Sequence, residues 1–85
     1  MNIINLLQSP EQHIKLMMFS VNYINSRLET FYNTEAEKID IQRNKEYLEL
    51  MLLREDIITN INPDQLVIIN KAVDKANTAL ANHNQ

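Results

Sequence analysis

The chain is predicted to be all-α, a three-helix antiparallel bundle that dimerisation can complete. Three observations carry this. Glycine is absent from the 85 residues, against a usual share of roughly 7%. Turns with positive φ normally need glycine, so tight β-hairpins and phosphate-cradling loops are disfavoured. Long helices joined by short polar connections need none. The second observation is a set of three helix-start signals, and the third is apolar periodicity at helical spacing.

The first helix is expected at roughly 10–32. "SPEQ" offers Ser9 as N-cap, Pro10 at the first helical position and Gln12 three residues after the cap, where a missing proline N–H costs least. Ile14, Met17, Val21, Ile24, Leu28 and Phe31 follow a 3-4-3-4-3 spacing, a coiled-coil-like seam. The second helix is expected at roughly 35–60, with Thr34 as cap and Glu37 as its reciprocal partner. Lys38, Gln42, Lys45, Glu49, Asp56 and Asn60 form one polar strip, and most of the remaining girth is apolar. Such a helix packs against two neighbours, either inside a bundle or once in the chain and once across a dimer. The third helix is expected at roughly 63–81 behind "NPDQ", with Asn62 as cap and a seam of Leu66, Ile69, Val73, Ala76 and Leu80. Ala72, Ala76 and Ala79 make its core side slim. Glu11, Glu35 and Asp64 sit in first turns, where the helix dipole favours negative charge. Residues 1–8 are expected to form an arm or short turn, and 82–85 a frayed tail. One small domain accounts for the whole chain.

Composition narrows the function classes. Net charge is −3, which disfavours nucleic acid or an anionic membrane as main partner. A chain without cysteine has no disulfide and no thiolate metal site. No run approaches the roughly 20 apolar residues of a membrane span, and "MNIINLLQ" lacks the basic start of a signal peptide. A cytoplasmic protein is the default expectation. Abundant Asn and Ile suggest AT-rich codons, hence a bacterial or phage gene.

Candidate chemistry is sparse. His13 and His83 have no further ligands at metal spacing, and His13 reads as a solvated polar residue. Glu46, Glu49, Glu55 and Asp56 lack the Glu-x-x-His pattern of di-iron bundles and read as helix surface. Arg43 and Arg54 lie on the apolar side of the middle helix, placed to pair with Asp40 and Glu46 or with acids on a neighbouring helix. Neither a nucleophile with a base at suitable spacing nor a glycine-rich phosphate loop is present, so no catalysis and no cofactor are expected.

The first helix carries an apolar surplus. At about 100° per residue, Leu16, Phe19 and Tyr23 fall opposite the Ile14/Val21/Leu28 seam, with Met18 to the side. This second stripe needs a cover. The candidates are the chain's own Ile3, Ile4, Leu6 and Leu7, a twin subunit, or another protein. The expected function is a small non-enzymatic interaction module, a regulator, adaptor or chaperone. It would bind a protein through Leu16, Met18, Phe19 and Tyr23, with Asn22 and Arg27 as polar rim. The alternatives are a structural subunit of a larger assembly and a nucleic-acid-binding regulator.

Overall fold

The computed structural model describes residues 9–30 and 34–83, and these residues form four helices. They are α1 (Pro10–Glu29), α2 (Glu35–Leu52), α3 (Glu55–Asn60) and α4 (Pro63–His83). The three long helices pack pairwise against one another, and α3 packs on α1 and α2. The expected arm at 1–8 and the last seam residue, Phe31, lie outside the described residues.

Two of the three start signals act as read. Thr34 Oγ1 accepts from the Glu37 N–H at 3.2 Å, and Glu37 Oε1 accepts from the Thr34 N–H at 3.1 Å. Both orphan donors are thereby satisfied reciprocally. Asn62 Oδ1 accepts from the Asp64 N–H at 2.8 Å, while Gln65 Oε1 accepts from the Asn62 N–H at 3.3 Å. Ser9 occupies the N-cap of α1 but makes no side-chain cap bond. Proline at the first helical position removes one donor that would otherwise need capping. At its other end α1 stops at Glu29, earlier than expected, where the Thr30 N–H turns back to the Arg27 carbonyl. Helix α4 runs on to His83, past the expected end at 81.

The core is the union of three seams. Ile14, Met17, Val21 and Ile24 from α1 meet Ile69, Ala72, Val73, Ala76 and Leu80 from α4. Ile41 and Leu48 of α2 are both fully buried and close the triangle.

The expected single middle helix is the main correction: it is two helices. Leu53 and Arg54 end α2 in a tightened turn, with their N–H groups bonded to Leu50 and Met51 carbonyls. Arg54 then turns extended, at φ −87° and ψ 123°. The reason is phase. Ile57 lies nine residues after Leu48, which on an unbroken helix is about 180° around the axis. Continuing α2 would aim Ile57 at solvent and turn Glu55 and Thr59 inward. The break re-phases the chain: Ile57 becomes fully buried and Ile61 nearly so, while Glu55 and Thr59 are exposed. Arg54 holds the corner. Its Nε donates to Asp56 Oδ1 at 3.1 Å and its Nη2 to Oδ2 at 2.7 Å. Arg54 thus pairs with an acid of the neighbouring helix α3, the second of the two expected kinds of partner.

The polar strip also sits differently. Lys38, Gln42, Lys45 and Glu49 are half-buried beside the core. Lys38 and Lys45 pair with Glu35 at 3.6 Å and Glu49 at 3.3 Å, laying their stems over apolar surface. The side of α2 facing away from the core is more apolar than the strip is. Ile39, Leu50 and Leu53 are exposed there.

Two predictions follow from this packing. Leu48→Ala removes a fully buried side chain from the helix that packs on both α1 and α4, so it is expected to cost about 2–5 kcal/mol; chemical denaturation followed by circular dichroism measures it. Asp56→Asn tests the corner. The Arg54 hydrogen bond holds the Asp56 carboxyl below its ordinary range, so its full stabilising contribution is present above that range and is lost as pH falls below it through the lowered folded-state pKa. The variant should melt below the wild type near neutral pH, and the difference should close in acid.

Candidate partner-binding face

All six residues expected on the binding face lie along α1, and the structure divides them. Leu16 is 40% exposed and Phe19 69%. Asn22 and Arg27 are also exposed. Met18 is half-buried and packs against the core, and Tyr23 is half-buried. The surplus stripe is therefore a ridge with Phe19 at its crest.

The ridge is set between two grooves. On the α2 side a depression of about 580 Å³ is lined by Leu16, Phe19, Ser20, Tyr23, Asn44 and Tyr47. On the α4 side a smaller one of about 260 Å³ is lined by Ile14, Lys15, Met18, Phe19, Asn22 and Gln65. Phe19 belongs to both. The seam at Met17, Val21 and Ile24 points inward because it is needed in the core, and Leu16 and Phe19 are left facing outward.

Tyr23 is anchored rather than loose. Its Oη donates to Asp40 Oδ2 on α2 at 3.0 Å, and Arg27 Nε donates to the same Oη at 3.2 Å. The Arg27 guanidinium also lies 5.4 Å from the Tyr23 ring centroid, a cation–π distance. The Tyr23 bond raises the Arg27 pKa above its ordinary value, and a guanidinium is charged in any case. This relay from Arg27 through Tyr23 to Asp40 fixes two side chains before any partner arrives, which lowers the entropy cost of binding. Asp40 was missed as a member of this face. Its placement depends on how α1 and α2 face each other.

His13 departs from the expected solvated residue. It is half-buried, with Nδ1 3.4 Å from Tyr47 Oη, while that hydroxyl lies 3.5 Å from the His13 carbonyl. The His13 Nε2 is buried without a hydrogen-bond partner among the described residues. Burial raises the Tyr47 phenol pKa, with Arg54 opposing. Tyr47 walls the larger groove, so His13 braces that wall from α1.

Among the described residues no group of three or more His, Asp or Glu side chains could hold a metal ion, and no helix is long and apolar enough to cross a membrane. Compared with protein-family models, curated proteins and solved structures, the chain finds no match.

The relay makes a prediction. Tyr23→Phe keeps the ring but removes the bond to Asp40, and is expected to cost about 0.5–1.5 kcal/mol in an equilibrium denaturation experiment, with the helix content unchanged.

Proposed function

We propose that this protein is a non-enzymatic interaction module that binds a protein partner through the α1 ridge, acting as a small regulator, adaptor or chaperone. The supporting observation is Phe19, an aromatic side chain 69% exposed between two depressions. Aromatic anchors with an apolar surround and polar rim are the usual energetic centre of protein interfaces. Leu16 and Phe19 supply the apolar contact, Met18 the floor of the smaller groove, and Tyr23 a pre-set wall. Asn22 and Arg27 form the rim. No catalytic step is part of this reading.

A structural subunit of a larger assembly is the second reading, supported by the exposed apolar side of α2, which gives the molecule two separate faces. Light scattering over a concentration series distinguishes them: a discrete particle supports the module, and open-ended growth supports the subunit.

The ridge is tested by Phe19→Asp. The side chain is largely exposed, so stability should change by no more than about 0.5 kcal/mol. A partner recovered with the wild type from its native host should be lost, with binding weakened by about 2 kcal/mol or more, roughly thirtyfold. A variant that unfolds would show Phe19 to be core, and unchanged binding would place the interface elsewhere.

A further inference from the structure

The outward side of α2 carries a complete helix-pairing seam. Ala36, Ile39, Arg43, Glu46, Leu50 and Leu53 follow a 3-4-3-4-3 spacing, the pattern of a coiled-coil contact line. All six are exposed, with Ile39 at 46%, Leu50 at 60% and Leu53 at 83%. The seam is opposite the core by construction. Ile39 lies nine residues before Leu48 and Leu50 nine after Ile41, each about 180° around the helix.

The order of residues along this seam is self-complementary. Set a two-fold axis across α2 between Asn44 and Lys45 and lay a second α2 antiparallel on the first. Arg43 then meets Glu46 of the second copy, Ile39 meets Leu50, and the small Ala36 meets the large Leu53. Each pair occurs twice. This is what an isologous contact requires, each residue facing the one that faces it back. A parallel alignment would set Arg43 against Arg43 and Glu46 against Glu46, and like charges in contact oppose it. Among the described residues Arg43 forms no ion pair, and Glu46 accepts only from Gln42 of its own helix, at 2.6 Å. A groove of about 410 Å³ between α2 and α4 borders this seam, with Ile39, Arg43 and Glu46 of the seam in its lining beside Glu35, Lys38, Gln42 and Leu80.

We infer that the protein forms a two-fold dimer through the outward side of α2, with α2 antiparallel to α2 and a central double Arg43–Glu46 pair setting the register. This interface is separate from the α1 ridge and does not rest on it. A single two-helix seam falls at the small end of specific interfaces, below about 1,200 Å², so micromolar association is expected. The central charged layer contributes more to orientation than to affinity.

Charge reversal tests the inference without touching the core. Sedimentation equilibrium of the full chain should show mass rising with concentration from 10.0 kDa towards twice that value. R43E places four acids in the central layer and E46R four bases, so each variant alone should lose at least tenfold in association. Mixed in equal amounts they should recover it, because each then faces its opposite. The double variant R43E/E46R should also dimerise. Circular dichroism confirms that every variant is folded. Wild type that stays monomeric at hundreds of micromolar overturns the inference. So do single variants that associate as well as wild type, or a mixture that fails to recover. Dimerisation that survives R43E but is lost in F19D would place the contact on α1.

Discussion

One stripe of α2, centred on the fully buried Ile41 and Leu48, serves both α1 and α4, and most of the architecture follows from that economy. With Tyr47, Met51 and Leu52 packed against the same core, the opposite side of the helix has no inward work. Lys38 and Lys45 can then lie beside the core with their stems packed and their charges paired. Ile39 and Leu50 are left facing outward. Ile57 could not reach the core in the same phase, so the helix ends at Leu52 and restarts at Glu55. The corner closed by Arg54 and Asp56 is the local cost of keeping Ile57 and Ile61 inside.

The same constraint explains the α1 ridge. Once Met17, Val21 and Ile24 fill the interior, Leu16 and Phe19 have no internal neighbour to meet among the described residues. Tyr23 escapes full exposure because its hydroxyl reaches Asp40 on α2. The ridge and the α2 seam are therefore by-products of a core built from narrow stripes. Both are apolar surface that the described residues leave largely uncovered.

How much of this could be read in the sequence depended on the kind of signal. Two of the three local start signals were dependable. Thr34 with Glu37, and Asn62 with Gln65, act at short range and do not depend on how the helices pack. The α1 and α4 seams were legible because their spacing is regular. The end of α2 was not, since "LLRED" contains neither glycine nor proline and each residue tolerates a helix. The available clue was phase: Ile57 and Ile61 fall out of step with Ile41 and Leu48, while Glu55 and Thr59 fall in step. On α2 itself, two apolar stripes compete, and spacing alone does not say which faces inward. His13 and Asp40 were misjudged or missed because their partners, Tyr47 and Tyr23, sit on a different helix.

The connections themselves have a consequence for how the sequence can vary. Thr30, Thr34, Leu53, Arg54 and Ile61 all turn the chain with negative φ, in regions open to nearly every residue type. No turn among them depends on glycine, which the chain lacks. Selection on the fold is thus concentrated on buried volume, a few caps and the Arg54–Asp56 pair, and the other corners are free to drift. Descendants of one ancestor could keep this bundle while sharing little beyond the phase of their apolar stripes.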